Sequence, residues 1–143
     1  VTVKPEDTVK PEDGDRILRD NFAPWVLDLG LTVEEVGNGT ATLRLPWSDR
    51  LAREGGGLSG QAMMAAADTA TVIAVCGARG GFVPMTTVQL NTTFQRPVKD
   101  SDVLVHVEIT KLGRTLAFAE VTLTAEGSSQ PVARASTVYA ILG

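Results

Sequence analysis

Cysteine and histidine each occur once in this chain of 143 residues. A single thiol, Cys76, excludes any intrachain disulfide, and its apolar neighbours mark it as a small buried hydrophobe. The lack of a disulfide framework suits a reducing compartment, and a cytoplasmic location is expected. One imidazole, His106, is too few parts for a serine–histidine–aspartate triad. No group of His, Cys and carboxylates has metal-ligand spacing, so no metal is expected. Positive charge is also scarce. Thirteen Lys and Arg stand against seventeen Asp and Glu, for a net charge of −4, and the pI is about 4.9. That balance argues against nucleic-acid or membrane-surface partners. No stretch reaches about 18 uncharged apolar residues, so no membrane span is expected, and the polar, acidic N-terminus has no signal-peptide core.

What is present points to one domain with one core, since 43% of the residues are hydrophobic. The pentapeptide VKPED at 3–7 recurs at 9–13. Two short polar repeats cannot build a core, so residues 1–14 read as a mobile arm and 15–143 as the domain. Asp15 to Leu29 carries Ile17, Leu18, Phe22, Val26 and Leu27 at helical spacing, with a break expected at Pro24. Leu31–Val36, the turn Gly37-Asn38-Gly39 and Thr40–Leu45 read as a hairpin. Pro46 to Gly57 reads as a loop. A long helix is expected roughly from Leu58 to Cys76, stopped by Gly77 and later by Gly80-Gly81. Four strands follow, over Met85–Gln95, Asp102–Lys111, Thr115–Thr124 and Val132–Leu142. The order is α+β: one antiparallel sheet with a helix on its face.

The long helix carries the functional signal. From Leu58 to Cys76 its only charged residue is Asp68. Burying a lone charge is costly unless it is paired, hydrogen-bonded or used. The glycine run Gly55-Gly56-Gly57 leads into this helix, and Gly60 lies in its first turn. That entry presents unpaired N–H groups and the positive end of the helix dipole. Gly60 leaves the approach open; the bland alternative is a glycine-rich loop and nothing more.

These residues resemble a known family. Leu58-Ser59-Gly60-Gln61 through Ala67-Asp68-Thr69-Ala70 is similar to the "HGG…AD(T/N)A" signature of PaaI-type acyl-CoA thioesterases of the hotdog fold. Leu90-Asn91-Thr92-Thr93-Phe94-Gln95-Arg96-Pro97-Val98 resembles that family's strand ending in Arg-Pro, and Gly113-Arg114-Thr115-Leu116 its next turn. The resemblance implies a long central helix wrapped by a curved antiparallel sheet. It implies hydrolysis of a small, medium-chain or aromatic acyl-CoA, with coenzyme A entering as part of the substrate and no separate cofactor. It implies that the Gly60 amide polarises the thioester carbonyl, that Asp68 activates water or attacks directly, and that Thr87 places the water. The family's His is Ser59 here, its second Gly is Gln61, and a loop Asn corresponds to Arg53. With Asn91 and Met64, these are the expected substrate-binding residues. The implied assembly is a homodimer or a dimer of dimers.

Geometry makes the same demand for two copies. Asp68 lies eight residues beyond Gly60, about 12 Å along a helix axis. One chain's pair cannot reach one thioester, whereas antiparallel helices related by a two-fold axis can. Gln61, Met64, Asp68 and Thr71 share one sector of roughly 80°, a partly polar stripe on an apolar cylinder. The structural alternative is an Asp satisfied by Thr69, Thr71 or backbone. On the strand after the helix, Thr87, Gln89, Asn91, Thr93 and Gln95 alternate; Gln89, Thr93 and Gln95 read as solvent-facing. Arg53, Arg79, Arg96, Lys99, Lys111 and Arg114 are the candidates for contacts to coenzyme A phosphates. The changed signature leaves a second reading, a non-catalytic acyl-CoA-binding hotdog protein. A hydratase of the same fold would need a histidine near the helix, and His106 is placed on a distant strand.

Overall fold

A computed structural model describes residues 8–143. The first helix, α1 (Pro11–Asn21), begins earlier than the arm boundary read from the sequence. Pro11 takes the first helical position, where its missing N–H costs nothing. The Lys10 N–H donates to Asp13 Oδ2 at 2.9 Å, and Val9 is buried. The second VKPED copy is thus a helix start and not an arm; the first copy lies outside the described residues. Ile17 and Leu18 face inward, and Gly14 meets β1 so closely that an added Cβ would lie 2.8 Å from Val33 Cγ2. The chain breaks before Pro24, as expected, and resumes as the single turn α2 (Pro24–Leu27).

Strands β1 (Thr32–Gly37) and β2 (Thr40–Leu45) pair across Asn38 and Gly39. Both turn residues have positive φ (53° and 84°), as a two-residue hairpin turn requires. A loop with one 3-10 turn then leads to α3 (Gly60–Arg79). Ser59 caps α3, its Oγ accepting the Ala62 N–H at 3.2 Å. The helix runs through Gly77, three residues past Cys76, and ends at the later glycine pair Gly80-Gly81. Gly80 adopts the left-handed conformation (φ 82°) and the Gly81 N–H closes on Cys76 O. Gly77 lies inside the helix for another reason: a Cβ there would sit 2.6 Å from Val36 Cγ2, so the glycine lets the hairpin approach.

Four long strands complete the sheet: β3 (Met85–Phe94), β4 (Val103–Leu112), β5 (Leu116–Ala125) and β6 (Pro131–Ile141). Among the described residues the six strands are antiparallel in the order β1-β2-β4-β5-β6-β3. Alternate residues such as Leu43, Val105, Ala119 and Ala135 point at α3 and are buried. Ala62, Ala66, Ala67, Ala70 and Ala74 of α3 meet them, so small side chains on both elements let the helix sit close to the sheet. By length and hydropathy α3 could cross a bilayer, yet 72% of that window is buried inside the fold, which marks a core helix. One face is left uncovered by the described residues. Gln61 is exposed, while Met64, Ala65 and Asp68 are half-buried. The arrangement is the wrapped helix of the hotdog fold. β3 lies at one edge of the sheet, ten residues long, with no charged residue or proline between Met85 and Phe94.

Candidate active site

Asp68 sits midway along α3, on the uncovered face. Two hydroxyls converge on its carboxylate. The Thr87 hydroxyl donates to Oδ1 at 3.0 Å, with Oδ2 3.3 Å away. The Tyr139 phenol donates to the same Oδ1 at 2.5 Å and lies 3.0 Å from the Asp68 carbonyl oxygen. Among the described residues no cation pairs with this carboxylate; the ion pairs join Arg16 and Arg44 to other acids. Nor do the neighbouring threonines satisfy it. Thr69 donates to Ala65 O, and Thr71 donates to Ala67 O and pairs with Thr137 at 3.0 Å. Oδ1 is therefore held between two donors, and Oδ2 is the less encumbered oxygen.

Sheet register explains why these groups meet. Thr87 and Tyr139 are direct partners on β3 and β6, both on the face toward α3. Tyr139 is 4% exposed, and burial first, then the Asp68 charge, push its phenol well above the usual range. It therefore keeps its proton and serves Asp68 only as a donor. Nothing in the sequence singles Tyr139 out. Its signal was weak: a single tyrosine at an inward position of a strand whose partner is distant in the chain.

A cleft of about 440 Å³ opens on Asp68, Thr87 and Tyr139. Ala65 and Val72 of α3 form part of its wall, with Phe82, Met85 and Leu142. Phe22, Trp25 and Val26 reach it from the N-terminal helices.

Gly60 lies elsewhere. It lines a second cleft, of about 520 Å³, with Arg53, Met63, Phe94 and Arg96. A Cβ at Gly60 would lie 3.2 Å from Phe94 Cζ, so packing under this ring already requires the glycine. Ser59 Oγ takes the Ala62 N–H and Ser59 O the Met63 N–H. No described residue accepts from the Gly60 or Gln61 N–H, so the first-turn amides remain available to an oxyanion. Ser59 and Gln61 line a third cleft, about 300 Å³, with Trp25 and Arg50. Within one protomer, Asp68 and the helix entry therefore occupy separate clefts.

The other expected residues divide. Arg53 donates to Glu54 O at 2.8 Å beside the glycine run. Arg96 lines the same cleft, and Lys99 Cε approaches Gly56, so three of the six basic candidates gather near the helix entry. Arg79 instead donates to Gly113 O and Arg114 O at the far end of α3. Met64 is half-buried and lines neither the Asp68 cleft nor the Gly60 cleft. Asn91 is misplaced by the sequence reading. A bulge at Val88 inserts one residue between Thr87 and Gln89 and reverses the alternation. Thr87 thus faces α3, whereas Asn91 pairs with Ser136 on the outer, exposed face. His106 is also on the outer face of the sheet, its Nδ1 2.8 Å from Thr42 Oγ, far from Asp68 in the layering of the fold. Cys76 is fully buried, and burial pushes its thiol up.

Known proteins agree with this architecture. The family profile described as the thioesterase superfamily matches residues 55–132, more than half of the chain. The chain belongs to that superfamily. It is 30% identical to a candidate thioesterase from Silicibacter sp. TM1040, over 94% of this chain and 92% of that one, with a TM-score of 0.83. The PaaI protein of the E. coli phenylacetic acid degradation operon is 13% identical and shows the same fold, with a TM-score of 0.80 over 92% of each chain. A candidate esterase of Thermoplasma acidophilum is 26% identical over 117 residues, 82% of this chain and 87% of that protein.

Proposed function

We propose that the chain hydrolyses the thioester of an acyl-CoA, and that it does so as a homodimer or a dimer of dimers. One observation carries the reading: a carboxylate held by two hydroxyls, without a cation, at the mouth of an apolar cleft. Such a group is fixed in place yet free to act. As general base, Asp68 Oδ2 takes a proton from water as its oxygen attacks the carbonyl carbon. The carbonyl electrons move onto oxygen, and the oxyanion rests on the Gly60 amide of the facing subunit. Collapse breaks the C–S bond, and the coenzyme A thiolate leaves with the proton held by Asp68. Direct attack by Asp68 would instead break the C–S bond, expel the coenzyme A thiolate and form an anhydride, which water then cleaves to the free acid and the restored carboxylate. Thr87, expected to place the water, donates to the carboxylate itself and so orients the base.

Two features support the paired assembly. Asp68 and Gly60 line different clefts of one protomer. The edge strand β3 has no charge or proline to deter pairing with a second copy, and Val88 and Phe94 are exposed along it.

A thiol-release screen over short, long and aromatic acyl-CoAs tests the reading. Asp68→Asn and Asp68→Ala should fold and lose at least about 100-fold in turnover. Wild-type turnover by Asp68→Ala would refute the assignment. The use of Ser59 as a helix cap, where the family signature has His, favours a second reading, a non-catalytic acyl-CoA binder. Calorimetric binding of acyl-CoA with no thiol release across the panel would establish it.

A further inference from the structure

Trp25 is 61% exposed, on a single-turn helix with no buried residue. An indole left this open is unusual unless something rests against it. Trp25 is the one residue common to the Asp68 cleft and the neighbouring cleft at Ser59 and Gln61. The two clefts lie over consecutive turns of the same α3 face: Ala65 and Asp68 under the first, Gln61 and Ala62 under the second. Their volumes are about 440 and 300 Å³. The indole therefore stands between two spaces that would otherwise run together along the helix.

Phe22 and Val26, both half-buried, pack the segment onto the core and hold α2 over this position. The segment lies before the residues that match the superfamily profile, 55–132, which include Asp68 and Thr87. Phe82 and Leu142, also exposed, continue the apolar rim of the first cleft.

We infer that Trp25 is a partition that sets the length of acyl chain admitted beside Asp68. Resting on the reading of that cleft as a thioester site, the inference specifies its ligands: acyl groups compact enough to end at the indole. A flat aromatic wall suits them because it offers a large apolar surface at little entropic cost. Truncating Trp25 joins the two clefts and admits longer chains. Filling the floor, by Ala65→Leu, shortens the usable space.

Non-hydrolysable S-alkyl-CoA thioethers, from butyl to hexadecyl, test this by calorimetry on the full chain. Native protein should favour the shorter members. Trp25→Ala should raise affinity for dodecyl relative to butyl by about 10-fold or more, and Ala65→Leu should move the preference the other way. Trp25→Phe should keep most of the native ranking. An unchanged ranking in Trp25→Ala and Ala65→Leu, both folded by circular dichroism, overturns the inference. So does native protein that binds no thioether. Dissociation of Trp25→Ala into a smaller species with the native ranking would overturn it too, and would make Trp25 an interface residue. Binding with the predicted shift in ranking, but no thiol release from the matching thioesters, would uphold the partition and sink only the hydrolase reading.

Discussion

Two hydroxyls hold one oxygen of Asp68, and they are not equivalent. Thr87 is on the exposed edge strand, whereas Tyr139 is buried on β6. Losing the phenol leaves a half-buried carboxylate short of a donor, at a cost of about 1–2 kcal/mol. Tyr139→Phe should therefore lower the denaturation midpoint. It should also reduce kcat between about 10- and 100-fold with little change in KM, because the base loses its orientation and the binding walls do not. An equal rise in KM would place Tyr139 in substrate binding instead. The phenol also makes a pH prediction. Its proton is held above the ordinary value of 10.0 in the native protein. Stability from this group is complete below that value and is lost as pH rises above it, because the unfolded tyrosine then ionises while the native one does not. Tyr139 is the only tyrosine, so phenolate absorbance reports one site. The signal should appear only with alkaline unfolding, and Tyr139→Phe should abolish this part of the alkaline loss of stability. A phenolate band rising in still-folded protein near the ordinary value would contradict the burial that sets up the site.

Local chemistry made several elements legible in advance. Asn38-Gly39 specifies its own tight turn, and β4 shows its inward face in Val103, Val105 and Val107. Asp68 stood out because nothing else in α3 before Arg79 is charged. Features set by distant contacts were not legible. The Val88 bulge carries no glycine or proline to announce it, yet it turns Asn91 away from α3 while leaving Thr87 in place. Tyr139 acquires its role only through the β3–β6 pairing. The start of α1 was hidden for the opposite reason: a polar repeat looked solvated, although Pro11 and Asp13 are good first-turn residues. α1 is held to β1 by the Val33 N–H, which donates to Asp15 Oδ1 at 2.9 Å, and by a tight contact at Gly14. A Cβ at Gly14 would crowd Val33 at Cβ and both Cγ atoms, so rotating Val33 gives no relief. Gly14→Ala should destabilise by about 1–3 kcal/mol through overpacking, despite the helix propensity it gains. Val33→Ala in the same chain should recover most of that loss. Additive losses in the double variant, measured by chemical denaturation, would show that the two residues do not meet.

At the scale of the whole molecule the fold is complete on one side and open on the other. The sheet wraps α3, but a strip from Gln61 to Asp68 remains uncovered, and β3 offers an unpaired edge. Gly60 and Asp68 lie about 12 Å apart along one helix, so on the proposed reading each chain would carry two half-sites. A two-fold partner with its helix antiparallel would set the entry of one α3 beside the middle of the other, and pairing through β3 is the contact best prepared for it. Lysines placed on that strand should prevent such pairing, since like charges on facing strands repel. Val88 and Asn91 are both exposed, and neither touches the Asp68 carboxylate. The variant Val88→Lys/Asn91→Lys should sediment as a monomer, keep its far-ultraviolet circular dichroism and release no thiol. Native protein should sediment as a dimer or tetramer and be active. A monomeric variant with wild-type turnover would mean that one chain carries a whole site. The catalytic amide would then have to come from near Asp68 itself, and Gly60 would be left with only its packing under Phe94.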